Sequence, residues 1–514
     1  MTTLDRRAAL LLLAGGALTP GLALGKARAF SFDQVKARAR ALARQAYVPP
    51  PAPPEELSAM DYDAAQAVGF LRDKIPLWGE DWGIELFPLS RGTPKAVAIN
   101  LVEDGVARPL AYDPDMFSMR ADSPLRTLPA DAGFSGFRAM SRDDRGEWLV
   151  FHGASYFRSP APFGQYGLSA RAIAADTYAV KPEEFPDWRE VWLERDAAGR
   201  LVVHALMESP GLAGAYRFVN ERQGTALTQT VEAAVFFRRA FDQVGFAPLT
   251  SMFWYGEDRA GAAPDWRPEI HDSDGLAMWT GAGERIWRPL NNPYRVVTST
   301  FSDLNPKGFG LVQRDRDFEH YHDDQAKSER RPSLWVEPIG KWGKGSVRLV
   351  EIPTDSETND NIVAFWTPDA PVKAGRAVSL RYRLSWTGDA PPPTATPEAE
   401  LARVVATRSG RAGEPGKDVV AGGRRIAIEF RGANLSALRT AIDIQADVGA
   451  HNGKVRNLSH YPAASQDGAT DTLWRVTFDV LPDGVEPADV RVVLRQKGRP
   501  LTETWTALVF PPRS

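Results

Sequence analysis

The chain holds 514 residues, 43% of them hydrophobic and 25% charged, with a formal charge of −3 at pH 7. That length suits two domains with full cores, and a mildly acidic balance without runs of like charge argues against nucleic acid or an anionic membrane as partner. Cysteine is absent and histidine occurs seven times, which excludes disulfides, thiolate zinc sites and cysteine nucleophiles.

In chain order, residues 1–29 read as an export leader rather than as fold. Arg6 and Arg7 precede the apolar run AALLLLAGGALTPGLALG, and Ala27-Arg28-Ala29 offers a cleavage site before Phe30. This is the charged, apolar, then small-residue order of a secreted precursor. The run is too short and glycine-rich to cross a bilayer comfortably, so no membrane span is expected. The paired arginines point to the twin-arginine route, which carries folded proteins, with the periplasm as destination. Cleavage would remove Arg6, Arg7, Lys26 and Arg28 against Asp5 alone, leaving a more acidic mature chain.

SFDQVKARARALARQAY (31–47) predicts a helix: Ser31 and Gln34 form a capping-box pattern, and Val35, Ala39, Leu42 and Ala46 share one face. The run VPPPAPPEE ends it. From Trp78 onward, short apolar or alternating segments recur between turns, among them IELFPL, AVAINLV, EWLVFHG, LVVHALME, SVRLVEIP, NIVAFWTP and VSLRYRLSW. With 43 Gly and 40 Pro breaking the chain, this is the pattern of a large β-sandwich or barrel. No fixed-period repeat supports a propeller. GDAPPPTATPEAE (388–400) has little to bury and reads as a boundary. Beyond it RRIAIEFRG, LWRVTFDVLP, VRVVLRQKG and LTETWTALVF form a separate strand set, with a hairpin turn at Lys497-Gly498. The expectation is an all-β protein: a large sandwich over 30–388, a linker at 389–400 and an immunoglobulin-like sandwich over 401–514.

Catalytic chemistry has few places to sit. There is no GxSxG elbow and no phosphate-binding glycine loop. His320 and His322, in DFEHYHDD, would share a strand face and could ligate a metal, though a charged surface hairpin accounts for them equally. His271, Asp272 and Asp274 could bind a cation, but no calcium-loop spacing follows; no metal or other cofactor is expected. What remains is carboxylates among aromatics. RPEIHDSDGL supplies Glu269, Asp272 and Asp274, followed by Trp279 and Trp287; PTDSETNDNIVAFW supplies Asp355, Glu357 and Asp360, followed by Trp366. Indole faces stack on the C–H face of a pyranose and carboxylates accept from its hydroxyls. Glycoside hydrolysis needs one protonated and one ionised carboxyl group, roughly 6.5–9.5 Å apart when a water must fit between them. Three readings stay open on residues alone: an exported carbohydrate-binding protein, a glycosidase, or solvated and turn-capping carboxylates.

Nine stretches carry a resemblance: FHGASYFR (151–158), YGLSARAIAADT (166–177), EEFPDW (183–188), APLTSMFWYGE (247–257), RPEIHDSDGLAMWTGAGERIWRPLNNP (267–293), GFGLVQRDRDFEHYHD (308–323), RRPSLWVEP (330–338), TNDNIVAFW (358–366) and ETW (503–505). In these, over about residues 30–514, the chain resembles the periplasmic glucan biosynthesis proteins of the G and D types, which act on osmoregulated periplasmic glucans; the twin-arginine leader is similar to that of the D type. The resemblance implies a galactose-mutarotase-like β-sandwich holding a long cleft, then the immunoglobulin-like domain. It implies linear β-1,2-glucan as ligand, cleaved with inversion or transferred. The Asp of TNDN, Asp360, would be the general acid, and the first Asp of HDSDG, Asp272, the general base, acting through a relay that includes a substrate hydroxyl. Trp279, Trp287, Trp366, Asp274 and Glu269 are the expected substrate contacts. The alternative is a non-catalytic β-1,2-glucan-binding partner of the inner-membrane glucan synthase; a homodimer is a further open arrangement.

Overall fold

The computed structural model describes residues 29–60, 62–71, 74, 81–142, 146–258, 264–390, 401–413, 416, 419–436, 438, 443–463 and 473–511. Residues 1–28 of the expected export leader and residues 391–400 of the expected linker lie outside them. Strands dominate, in keeping with the all-β expectation. The predicted helix forms at Phe32–Leu42; the Ser31 N–H donates to Gln34 Oε1 at 3.1 Å, and Val35 and Ala39 turn inward. It packs on the outer face of a large sheet, against Trp192, Leu206, Ala215 and Phe236.

Two sheets make the main sandwich. The smaller runs through Trp82–Phe87, Gly136–Ser141, Glu147–His152, Tyr156–Arg158, Ser169–Arg171, Val244–Ser251, Ile362–Pro368, Lys344–Glu351 and Val297–Leu304. The larger includes Asp187–Arg195, Leu201–Glu208, Leu212–Gln223, Ala226–Phe237, Ala377–Thr387, Ser333–Pro338, Gly308–Val312, Gly275–Trp279 and Arg285–Pro289. Their facing side chains form one core, with Phe137, Phe151, Phe246 and Trp366 from the first against Tyr216, Phe218, Leu311 and Trp386 from the second. The alternation of strand side chains puts every second residue into this layer.

The C-terminal strands form a second sandwich. Arg403–Arg411, Arg424–Arg431, Leu473–Pro482 and Gly453–Ala463 make one sheet. Ile428, Phe430, Val476 and Phe478 pack from it onto Val490, Val492, Leu494 and Trp505. The expected hairpin turn is present, with Lys497 and Gly498 both at positive φ, 50° and 80°, as a tight two-residue turn requires. The second core also takes in Ala277, Trp287, Val312 and Trp335 from the main sandwich. Strand Thr504–Val509 joins Arg285–Pro289 in parallel, Ile286 opposite Thr504 and Trp287 opposite Trp505. The larger sheet therefore runs on into the C-terminal unit, a continuity the sequence pattern did not suggest.

Candidate active site

Asp272 and Asp360 come together because of how three neighbouring segments pair. Ser251 lies opposite Ile362 at the end of two adjacent strands. One residue on, the carbonyl of Met252 accepts the N–H of Asp272 at 2.8 Å, and the hydroxyls of Ser251 and Ser273 meet at 2.9 Å. Asn361, buried beside Asp360, accepts from the N–H of Phe253 at 2.8 Å and donates to the carbonyls of Phe253 and Ile352, each at 2.9 Å. These bonds fix the entry into strand Ile362–Pro368, and so the start of that strand presents Asp360. Strand Val244–Ser251 carries a bulge between Phe246 and Leu249, with Ala247 at φ 48°, which bends the chain toward this end of the sheet.

The two carboxyl groups sit in different environments. Asp360 reaches solvent, yet the protein packed around it desolvates its carboxyl and pushes the pKa up to about 6. The Asp272 charge adds to the rise, while Arg158 and Arg171 oppose it. Asp272 is buried and paired with the Arg331 guanidinium, which also donates to the His271 carbonyl at 3.1 Å. Burial raises the Asp272 pKa, and Arg331, His271 and Arg158 pull against that rise. Burial thus raises both carboxyl groups; Asp360 has its opposing arginines at a distance, whereas Asp272 has Arg331 in direct contact. Unequal pairing of two neighbouring carboxyl groups is one arrangement acid–base chemistry can use. Arg158 and Arg171 arrive on the paired strands Tyr156–Arg158 and Ser169–Arg171, with Tyr156 opposite Arg171. No periodicity or spacing singled out Arg158, Arg171 or Arg331; the only trace of them was their place in FHGASYFR, YGLSARAIAADT and RRPSLWVEP.

The remaining expected contacts lie elsewhere. Alternation along 269–272 turns Glu269 and His271 the opposite way from Asp272. His271 Nε2 meets Glu269 Oε2 at 3.0 Å and Asp274 Oδ1 at 3.5 Å. Asp274 accepts the N–H of Asp315 at 2.7 Å and also that of Arg314, clamping the loop after strand Gly308–Val312. Glu269, Asp274 and Trp287 line a cavity of about 140 Å³ at the junction with the C-terminal unit, which neither Asp272 nor Asp360 borders. Trp287 is buried under the guanidinium of Arg314, 3.6 Å from the ring centroid. Trp279 is half-buried beneath Arg285 and Lys307, 4.0 and 4.8 Å from its ring. Trp366, 1% exposed, packs on Trp342 in the main core. The expectation that these indoles line the cleft is corrected: their flat apolar area is already buried against side chains of the protein itself. His320 ends a 3₁₀ turn, Phe318–His320, rather than lying on a strand, and binds Asp315 through Nδ1 at 2.5 Å. Donor atoms of Glu269, His271 and Asp274, and of Glu269, Asp315 and His320, lie within 4.8 Å of one another and could hold a cation. Gln313 donates to Tyr321 and to the Ser328 carbonyl, so its Oε1 faces His271 Nδ1 at 3.1 Å as acceptor. Burial lowers the His271 pKa, but Glu269 and Asp274 on the other ring nitrogen outweigh it and raise it to about 9.

The model of the periplasmic glucan biosynthesis protein family MdoG matches residues 30–509. The chain belongs to this family. It is 45% identical to glucans biosynthesis protein D 2 of Ralstonia nicotianae over 508 residues, 96% of this chain and 93% of the relative. It is 44% identical to the probable glucans biosynthesis protein D of Shewanella oneidensis over 505 residues, 95% and 91% of the two chains. Among solved structures, a polysaccharide lyase aligns with 74% of this chain and 45% of its own at 12% identity, with a TM-score of 0.25 that carries no argument. Membership makes this a protein of periplasmic glucan biosynthesis. No helix among the described residues is long and apolar enough to cross a membrane.

Proposed function

We propose that this family member shapes the glucan backbone by inverting cleavage of, or transfer on, linear β-1,2-glucan, with Asp360 as general acid and Asp272 as general base. The carrying observation is the unequal carboxyl pair: Asp360 desolvated with a pKa of about 6, and Asp272 beside it facing Arg331. A protonated Asp360 donates to the leaving glycosidic oxygen as the bond to the anomeric carbon breaks. Ionised Asp272 takes, through a relay, the proton of the water that attacks the opposite face. In transfer, a sugar hydroxyl replaces that water.

The test is product analysis after incubation with linear β-1,2-glucan. Release of new reducing ends by the parent and its loss in Asp360→Asn support the reading. Binding without release supports a non-catalytic glucan-binding partner of the membrane synthase instead. Export by the twin-arginine route is proposed from Arg6 and Arg7. Replacing both with lysine is expected to retain the precursor in the cytoplasm, measured by fractionation; unchanged periplasmic accumulation would refute the route.

A further inference from the structure

Two large aromatic side chains stand in the open on segments tied to residues that act on the carboxyl pair, and neither was singled out in the sequence. Phe185 is 47% exposed and Trp266 is 75% exposed. A scattered exposed aromatic is ordinary on a protein surface. These two differ in how firmly they are held and in what holds them.

Phe185 follows two pinned glutamates. Glu183 pairs with buried Arg171 at 2.9 Å and accepts from Thr177 at 2.8 Å. Glu184 accepts from the Gly211 N–H at 2.7 Å and from Arg239 at 2.9 Å. The Phe185 ring lies 4.9 Å from the guanidinium of Arg171, whose other neighbour is the Tyr156 ring at 5.2 Å. Arg171 is one of the two cations that act on Asp360. At Trp266 it is the flanking residues that are held. Asp265 before it accepts from the N–H and Nε of Arg267, each at 3.0 Å, and Arg267 extends to Asp323 at 2.7 Å and Glu357 at 2.9 Å. Glu357 stands three residues before Asp360 and its charge acts on Asp272. The Phe185 ring therefore rests on an arginine that acts on Asp360, whereas Trp266 projects from a backbone held between Asp265 and Arg267, whose network includes Glu357. Holding an apolar ring rigid in water brings no folding benefit, but it lowers the entropy lost when a flat ligand settles on it.

From this mounting we infer that Phe185 and Trp266 are the two sugar-stacking platforms of the cleft, Phe185 on the Arg171 side of Asp360 and Trp266 on the Arg267 side. A glucan laid across the carboxyl pair would rest the C–H face of one glucose unit on each ring. This inference deepens the glucan reading and rests on it.

The experiment measures binding of linear β-1,2-glucan by calorimetry to full-length protein carrying Asp360→Asn, so that no turnover intervenes. Phe185→Ala and Trp266→Ala are each expected to weaken binding about 10-fold, and Trp266→Phe to keep most of the affinity. Phe185→Leu retains apolar area without a flat face, and stacking predicts a loss as large as that of Phe185→Ala. Near-ultraviolet circular dichroism checks that each variant is folded. Parental affinity in both alanine variants overturns this inference and leaves the glucan reading standing. No binding by the Asp360→Asn parent, together with no cleavage by the unsubstituted protein, overturns the glucan reading and this inference with it.

Discussion

The cleft around Asp360 and the junction cavity around Glu257 are built from the same materials, carboxylates beside arginines and aromatic rings, and they use them in opposite ways. At the junction Arg314 and Arg288 each have a fixed opposite number. Arg314 grips Glu503 with two bonds of 2.6 and 3.1 Å while its guanidinium covers Trp287, and Glu503 also accepts the Val404 N–H at 2.7 Å. Arg288 meets Glu351 at 2.9 Å, both buried. Glu257 accepts the N–H of Thr407 and lies 3.5 Å from Arg408, across the contact between the two units. In the cleft, Asp360 reaches solvent, its nearest cations act on it at longer range, and the Phe185 ring beyond Arg171 is exposed. Paired and enclosed charges fix geometry, whereas a desolvated carboxyl group open to solvent can exchange a proton with something that arrives. The composition of a site is thus a weak guide to its role, and the state of its partners is a strong one.

The comparison breaks most visibly if the junction is dispensable. Arg314→Ala leaves Glu503 buried without its partner and should lower unfolding free energy by about 3–5 kcal/mol, read from urea denaturation. A change under about 1 kcal/mol would mean that the junction charges are solvated after all. Next in size, Asp360→Asn should lower reducing-end release from linear β-1,2-glucan on the order of 10²-fold while the melting temperature stays near the parental value. Parental turnover would remove Asp360 from the chemistry.

The pH dependence sharpens the contrast. The acid must be protonated, so turnover at saturating glucan should fall as pH rises through about 6, the value for Asp360. Arg158→Met removes a cation that lowers this pKa, and the falling limb should move to higher pH. A limb that stays in place would show that Asp360 does not set it. The smallest effect belongs to Glu257, whose pKa burial raises to about 8. The folded state then binds more protons than the unfolded chain between about 4.5 and 8, so this contribution is full at low pH and is lost as pH rises through 8. Glu257→Gln should therefore flatten the decline in melting temperature between pH 6 and 9 by a few degrees, with turnover at pH 6 little changed. A steeper decline in the variant would contradict the assignment.

Alternating strands, the capping pattern of the first helix and the Lys497-Gly498 turn were all readable along the chain, because each is fixed by neighbours in sequence: a period of two, a residue and its third successor, two residues tolerant of positive φ. The pairing of Asp272 with Asp360 entered through motif resemblance, since no local rule relates residues 88 positions apart. What the local pattern misjudged was the tryptophans. A Trp beside a carboxylate reads alike whether its ring is covered by Arg314, as at Trp287, packed on Trp342, as at Trp366, or left open, as at Trp266. The sequence by itself determined the strand content and, through the motif resemblance, which two carboxyl groups are candidates for acid–base chemistry. Only the tertiary structure decided which carboxyl groups face solvent, which arginines complete the site and which rings remain bare, because burial and charge pairing arise from strands brought together across hundreds of residues.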